Sequence, residues 1–272
     1  MKNNHISGKI DRLEILISKM GPMSVAFSGG VDSTFLLWVA YQVLGQQVQA
    51  IIAKSPLFSR FEEETAINFL IASEIPYQVV EPSIINEAAF VKNDKDRCYV
   101  CKKILFTMIM AVAGKTEKPL VVHGVNLDDL KDYRPGLKAA SEMGIKSPLV
   151  DAGFSKDDIR KASRMMGLKS ADMPSMACLA SRIPYGDTVT SRKLEQIETA
   201  EMLLRNLGFY GVRARYHGVV ARLEIQEKDF EKIIRHDVRK AIVNGLKAAG
   251  FLHVSLDLEG YCQGSLNRAL GK

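Results

Sequence analysis

Short apolar runs alternate along this chain with segments of helix-like spacing. From Ile10 to Met20 the spacing predicts an amphipathic helix, broken at Gly21-Pro22, and the compact run Ser24 to Phe27 predicts a buried strand. A helix over Asp32 to Leu44 follows, then an apolar run in VQAIIAKS, an acidic helix start in SRFEEETAINFLIASE and a third strand in PYQVVEP. PLVVHG predicts a fourth strand leading into VNLDDLKDYRPGLKAASEMG, and KSPLVD precedes the helix SKDDIRKASRMMG, with Ser155 as its N-cap. Strands and helices in alternation predict an α/β fold, a Rossmann-like parallel sheet flanked by helices on both faces.

Beyond Pro184 the texture changes. SRKLEQIETAEMLLRNLG predicts a long amphipathic helix, and VRARYHGVVARLEIQ two strands turning near His217-Gly218. DFEKIIRHDVRKAIVNGLKAAG reads as one helix ended by Gly250, and FLHVSLDLEGY as a last strand. The expected division is therefore residues 1–183 and a smaller C-terminal α+β domain, 184–272, with MPSMACLASRIPYGD as the connection. Neither internal repeats nor low-complexity tracts interrupt the pattern.

With 272 residues, 47% of them hydrophobic, the chain can bury a sizeable core. No apolar run reaches the roughly 18 residues of a membrane span, and the first twenty residues mix charge with apolar positions instead of forming a signal-peptide core. The expectation is a cytoplasmic protein with no membrane partner. A formal charge of +6 favours phosphate-bearing ligands, yet no block of like charges marks a nucleic-acid surface. Four cysteines, Cys98, Cys101, Cys178 and Cys262, are too sparse for a disulfide scaffold and suit metal binding or sulfur chemistry.

The junction MSVAFSGGVDSTFLLWVA carries the first chemistry. Between strand and helix, the amides of Ser28 to Ser33 would point into one concavity at the positive helix end. Glycine at 29 and 30 admits an anion, and the Ser28 and Ser33 hydroxyls add donors. A plain strand-to-helix turn can use the same letters. Neither the lysine-ended Walker loop nor the Gly-x-Gly-x-x-Gly pattern is present. SGGVDS resembles the pyrophosphate loop of the ATP pyrophosphatase superfamily, whose members split ATP between the α and β phosphates and adenylate a carbonyl or carboxylate oxygen. That resemblance makes Ser28, Gly29, Gly30, Val31, Asp32, Ser33 and Gly124, which follows the fourth strand, the expected ATP site, with Asp32 helping to hold Mg²⁺.

Cys98 and Cys101 lie three apart in DKDRCYVCKKILFTMIM, at the predicted first turn of a helix. There the sulfurs share one face and the helix end favours thiolate. Cys178 in SMACLASR is the expected third member, enough for a four-iron cluster with one open iron or for a zinc ion completed by another ligand. A redox disulfide is the alternative for the pair, and Cys262 reads as structural. The five histidines have no metal-ligand spacing. Arg213 and Arg215, two apart on a predicted strand, share a face. With Arg134, Ser181 and Arg182 they are the expected substrate-binding set, since guanidinium suits phosphates and carboxylates. Asp128, Asp129 and Asp132 are candidates for positioning Mg²⁺ or an arginine, or form an ordinary acidic loop.

SGGVDSTFLL, GVNLDDLKDYRPGLKAA, CLASRIPYGD and VRARYH occur here in the order seen in the LarE family, and from Met23 to Gly260 the chain resembles these ATP-dependent sulfur transferases of nickel-pincer cofactor biosynthesis. The resemblance implies adenylation of a carboxylate of pyridinium-3,5-biscarboxylic acid mononucleotide and its conversion to a thiocarboxylate. It also implies phosphate binding by Arg213 and Arg215, and a homo-oligomer. One form of the family gives up the sulfur of a single cysteine, here Cys178, and lacks the Cys-x-x-Cys pair. This chain has the pair and resembles the other form, in which three cysteines, here Cys98, Cys101 and Cys178, hold a [4Fe-4S] cluster that carries sulfide. The rival readings are a tRNA thiolase, a class that usually brings a dedicated RNA-binding module or a strongly basic face, neither of which is evident in this sequence, and a nucleotide sensor without chemistry.

Overall fold

The computed structural model describes residues 2–131, 135–174, 177–262 and 268. The chain divides into two compact units, one of Met1–Ser55, Glu62–Ile84 and Cys98–Met173, the other of Pro56–Phe61, Ile85–Arg97 and Pro174–Lys272. The second unit thus takes in two early excursions of the chain as well as its C-terminal part.

Strands β1 (Met23–Phe27), β2 (Val48–Ala53), β3 (Tyr77–Val80) and β4 (Leu120–His123) form a parallel sheet in the first unit, in the order β3-β2-β1-β4. Val25 stands opposite Ala50 on one side and Val122 on the other, so β1 is central. Side-chain alternation then splits the core into two layers. Val25, Phe27, Ala50, Ile52 and Val122 pack with helices α1 (Lys2–Met20), α2 (Val31–Leu44), α3 (Arg60–Ala72), α7 (Pro148–Asp151) and α8 (Lys156–Met165). Ala26, Ile51 and Val121 pack with α5 (Arg97–Ala113) and α6 (Pro135–Glu142). This is the expected parallel sheet covered on both faces; α3 and α5 begin in segments assigned to the other unit.

Helix α1 starts earlier than its spacing predicts. Ile6 is buried on the same stripe as Leu13 and Ile17, but Gly8 and the polar residues around it hide the period. Ser155 caps α8 as expected: its Oγ accepts the Asp158 amide at 3.2 Å, and Asp158 returns a bond from the Ser155 amide at 3.0 Å. Lys9 of α1 donates to the same carboxylate at 2.7 Å. Burial pushes Asp158 up, yet Lys9 and Ser155 outweigh it and hold the carboxyl at about 2.

In the second unit, β5 (Arg213–His217) and β6 (Val220–Glu224) form the expected hairpin, and β7 (His253–Leu256) pairs parallel to β6. Leu204 of α9 (Ser191–Asn206), Phe209, Ala214, Leu223, Ile242, Leu246 and Phe251 form its core. The short α4 (Ala88–Val91) belongs to this unit's excursion 85–97. The stretch read as one helix is two, α10 (Phe230–Ile234) and α11 (His236–Ala248), broken where Arg235 adopts an extended ψ of 139°. No glycine or proline marks that break. The bend lets Ile233 and, one helix later, Ile242 and Leu246 face the same core. Gly250 ends α11 as expected, with its amide on the Lys247 carbonyl at 3.0 Å and that of Phe251 on Leu246 at 3.1 Å. Among the described residues no helix is long and apolar enough to cross a membrane.

Candidate functional site

The loop between β1 and α2 is shaped by two close approaches. Gly29 has φ +76°, and a Cβ there would stand 2.5 Å from the Ala66 Cβ. Gly124, directly after β4, presses on the first turn of α2, where a Cβ would meet the Ser33 amide nitrogen at 2.7 Å and the Asp32 carbonyl carbon at 2.8 Å. Ser33 Oγ donates to the Gly30 carbonyl (3.1 Å), lies 3.1 Å from Ser28 Oγ and accepts from the Ser28 amide at 3.3 Å. Gly30 is the N-cap and supplies no side chain, and the α-helical ladder starts only at Thr34, whose amide bonds to Gly30 at 2.9 Å. The amides of Val31, Asp32 and Ser33 therefore lie ahead of that ladder at the positive end of α2, the arrangement that accepts a phosphate.

Asp32 projects from this turn into a contact the sequence did not announce. Its Oδ2 accepts from Lys156 Nζ at 2.5 Å and its Oδ1 from Asn126 Nδ2 at 3.3 Å. Lys156 is the first residue of α8, and its amide donates to Asp128 Oδ2 at 2.9 Å. Asn126 Oδ1 in turn accepts the amides of Asp128 at 2.9 Å and Asp129 at 3.3 Å. The hydrogen bond from Lys131, aided by the Lys156 amide, holds the Asp128 carboxyl below the usual carboxylate range. Asp128 and Asp129 thus brace the loop after β4, whereas Asp132 and Arg134 lie outside the described residues. One carboxylate at the phosphate site matches the donor set of Mg²⁺, which keeps waters and substrate phosphates as its other ligands.

Cys98 and Cys101 occupy the first turn of α5, as their spacing predicts; Cys98 is exposed and Cys101 partly buried. No disulfide joins the cysteines. Among the described residues no three His, Cys, Asp or Glu side chains gather as a metal site. Nearby, His123 at the end of β4 is buried, with Nε2 2.8 Å from Ser147 Oγ and its ring edge-on to Phe106. Burial, with Lys102 adding to it, lowers its pKa to about 4.

In the second unit Cys178 caps a short 3₁₀ turn, Leu179–Arg182. Arg182 is buried inside this turn. Its Nε and Nη2 grip Glu201 at 2.8 and 2.9 Å, and its Nη1 donates to the carbonyls of Ala177 (2.6 Å) and Cys178 (3.0 Å) and to Ser181 Oγ (2.9 Å). Burial pushes Glu201 up, but Arg182 and Arg213 outweigh it and hold its carboxyl low. Arg215 makes the same two-armed pair with Glu224, 2.8 Å on each arm, and donates to the Ser181 carbonyl at 2.7 Å. Arg213 and Arg215 do share a face, opposite Glu224 and Arg222 on β6. The Arg213 guanidinium lies 5.2 Å from the Tyr261 ring centre, and Arg222 reaches both Glu224 and Asp257.

No family model matches the chain. Compared with curated proteins, it is 38% identical over 267 residues to an uncharacterized protein of Synechocystis, covering 98% of this chain and 100% of that one. It is 36% identical over 253 residues to the pyridinium-3,5-bisthiocarboxylic acid mononucleotide synthase of Lactiplantibacillus plantarum, 92% of this chain and 90% of that protein. The chain belongs to the LarE family. An uncharacterized protein of Methanocaldococcus jannaschii is 31% identical over 237 residues, 87% of this chain and 89% of its own.

For this LarE-family chain, the structure brings Ser28 to Ser33 and Gly124 together in one unit, and Ser181, Arg182, Arg213, Arg215 and Cys178 belong to the other. Lys156, Glu201 and Glu224 had no motif to reveal them, and Asn126 stood within GVNLDDLKDYRPGLKAA without being singled out. Only the capping box around Ser155 marked where Lys156 begins its helix.

Two outcomes follow. Replacing Arg182 by Met leaves Glu201 as a buried carboxylate short of its two-armed partner, and urea unfolding of Arg182→Met should show a loss of about 3–5 kcal/mol. The double variant Arg182→Met/Glu201→Leu should recover most of it; an equal loss in both means the pair is not what holds the turn. For His123, the folded state keeps the ring neutral down to about pH 4 while the unfolded chain protonates near 6.5. Its contribution is therefore complete above pH 6.5 and drains as pH falls toward 4, by about 3 kcal/mol at about 1.4 kcal/mol per pKa unit. Stability curves of the wild type and His123→Gln should diverge across that window, and parallel curves would remove the assignment.

Proposed function

We propose that this chain uses ATP to adenylate a carboxylate of pyridinium-3,5-biscarboxylic acid mononucleotide and converts the activated group to a thiocarboxylate, releasing pyrophosphate and AMP. The observation that carries the reading is the identity to the named synthase along nine-tenths of both chains. The bare amide end of α2 behind Gly29 supports it, because a carboxylate oxygen leaves poorly and must first be activated.

In this reading the β and γ phosphates sit on the amides of Gly30 to Ser33 and on the Ser28 and Ser33 hydroxyls. The substrate carboxylate attacks the α-phosphorus, and the bond to pyrophosphate breaks as its charge grows against the loop. Mg²⁺ held by Asp32 would neutralise part of that charge. Lys156, the ammonium nearest the loop aspartate, moves from Asp32 to the phosphates. Arg182, Arg213, Arg215 and Arg222 cluster in the second unit, and their guanidinium groups suit the phosphate and carboxylates of the substrate.

Sulfur delivery is the finer part of the proposal. A [4Fe-4S] cluster on Cys98, Cys101 and Cys178 would carry the sulfide that displaces AMP. The thiols one helical turn apart on α5 favour it. A second reading, sacrifice of Cys178, draws on the fixed backbone of that residue, whose carbonyl accepts from the Ser181 amide and from Arg182. There the Cys178 thiolate displaces AMP to form a thioester, and loss of its Cα proton with cleavage of the Cβ–S bond leaves thiocarboxylate and dehydroalanine.

The test is turnover of the pyridinium mononucleotide by anaerobically purified enzyme, with iron and sulfide analysis beside Cys98→Ala. AMP should form in step with thiocarboxylate, and Lys156→Met should slow AMP formation on the order of 10²-fold. ADP as product, or AMP formed without the pyridinium substrate, would reverse the reading. Iron and sulfide lost in Cys98→Ala identify the cluster. Iron-free enzyme that transfers one sulfur per chain while Cys178 loses the mass of hydrogen sulfide identifies sacrifice.

A further inference from the structure

The segment that carries Cys178 has little regular structure of its own. After the four-residue 3₁₀ turn the chain runs through Ile183, Pro184, Tyr185, Gly186 and Asp187 without strand or helix until α9, so its backbone polar groups need partners from elsewhere. They find them in the excursion 85–97 of the same unit. Asn93 is fully buried and adopts φ +58°, a left-handed conformation that asparagine tolerates better than most side chains. Its Nδ2 points at three carbonyl oxygens, those of Pro184 at 2.6 Å, Asp187 at 2.8 Å and Ile183 at 3.4 Å. Its Oδ1 accepts from Arg97 Nη1, and its own carbonyl takes the Gly186 amide at 3.1 Å. Three acceptors on one side of the amide and a guanidinium on the other settle which way the group faces.

Arg97 completes the grip. It is buried, donates from Nη1 to the Ala180 carbonyl at 2.9 Å, and lies over the Tyr185 ring at 5.0 Å from its centre. The Val189 amide bonds to Val91 at 2.9 Å, and that of Leu179 to Leu57 at 2.8 Å. Cys178 itself is fixed through its carbonyl, which accepts from the Ser181 amide at 2.9 Å and from Arg182 at 3.0 Å. A buried asparagine in a left-handed conformation contributes little to an apolar core. What it does here is hold one loop in one shape, and that loop bears the thiol.

We propose that Asn93 and Arg97 form a positioning clasp for sulfur transfer: they hold the Cys178 loop in the one conformation from which its thiol works, and they take no part in adenylation. The inference rests on the reading that Cys178 takes part in sulfur delivery, by either route. It assigns two residues outside the expected ATP and substrate sets a role in the second half-reaction alone.

The experiment separates the two half-reactions in the full-length enzyme. Adenylation is read as exchange of labelled pyrophosphate into ATP that depends on the pyridinium mononucleotide, and transfer as thiocarboxylate formed. Asn93→Gly keeps the left-handed backbone and removes the amide. It should leave exchange within about twofold of wild type and lower transfer by about tenfold or more, as expected when a reacting group is misplaced. Alkylation of Cys178 by iodoacetamide, mapped by mass spectrometry against Cys262 in the same sample, should speed up while Cys262 is unchanged. Should Asn93→Gly fail to fold, Arg97→Lys, which keeps the charge and loses the planar fork, carries the same criteria. Exchange and transfer falling together, or neither moving, would overturn the clasp and leave Asn93 as a fold-holding residue only. Cys178→Ala distinguishes the underlying reading. If it abolishes transfer while Asn93→Gly and Arg97→Lys retain it, the clasp alone is wrong; if it transfers sulfur normally, the role of Cys178 falls and the clasp with it.

Discussion

The absence of a side chain at Gly124 is the constraint from which the first unit follows. Its Cα lies where any Cβ would be within 2.7 Å of the Ser33 amide nitrogen, backbone that cannot step aside. Gly29 meets Ala66 of α3 with comparable closeness. With only hydrogen at both places, α2 can begin directly in the crevice between the ends of β1 and β4. In a parallel sheet those carboxyl ends lie on one edge, where ligands of such folds collect. The loop after β4 and the start of α8 reach the same edge, through Asn126 and Lys156. A bulkier residue at 124 would lift the helix from the sheet and spoil the aim of its amides before any ligand contact was lost.

The two units handle charge in opposite ways. At the α2 loop the donors are chiefly backbone amides, and the charge contact of Lys156 with Asp32 is partly open to solvent. Around Cys178 the charges are buried and rigid: Arg182 and Arg215 each hold a carboxylate with both arms and spend a third nitrogen on the backbone of residues 177–181. Such pairs are weak evidence for stability, because desolvation offsets much of the attraction. They do fix orientation, since a guanidinium fork met on several sides cannot turn. The 3₁₀ turn bearing Cys178 is therefore set by arginines from within and by the Asn93–Arg97 clasp from the other side.

Where structure is local, it was legible. The four strands, the Gly-Gly junction, the Ser155 cap, the Gly250 stop and the helical turn holding Cys98 and Cys101 all announce themselves within a few residues, because hydrogen bonding and side-chain period act over that range. What joined distant segments was not. Lys156 reads as one more surface lysine until α8 is placed, and Glu201 reads as the polar face of an amphipathic helix though Arg182 draws it inside. The break at Arg235 carries no turn residue. The excursions 56–61 and 85–97 are too short to carry a hydrophobic period of their own, so a single boundary near Pro184 was the natural reading of a chain whose second unit has three pieces. An arginine that grips a buried carboxylate and one that awaits a phosphate look alike in a sequence, because the difference lies in a partner far along the chain.

Lys156 shows how one requirement can be met by a different chain segment. A Walker loop places its lysine inside the phosphate-binding turn, and SGGVDS has none. Here the ammonium arrives from a residue 124 positions later. Its reach is set by backbone: the Lys156 amide is held by Asp128, the helix it opens is locked by the Ser155–Asp158 box, and Asp158 is tied to Lys9 of α1. A lysine so anchored at its main chain still has four flexible carbons to its charge. Asp32 occupies that charge at 2.5 Å, and the triphosphate of the proposed reaction, with more negative charge and more acceptors, would compete for it. In the proposed reaction the ammonium would turn to phosphate, and the Asp32 carboxylate it leaves would be the oxygen ligand suited to a divalent cation arriving with the nucleotide. One exchange of partners would then ready both charges, so that neither waits unpaired beside the bare end of α2.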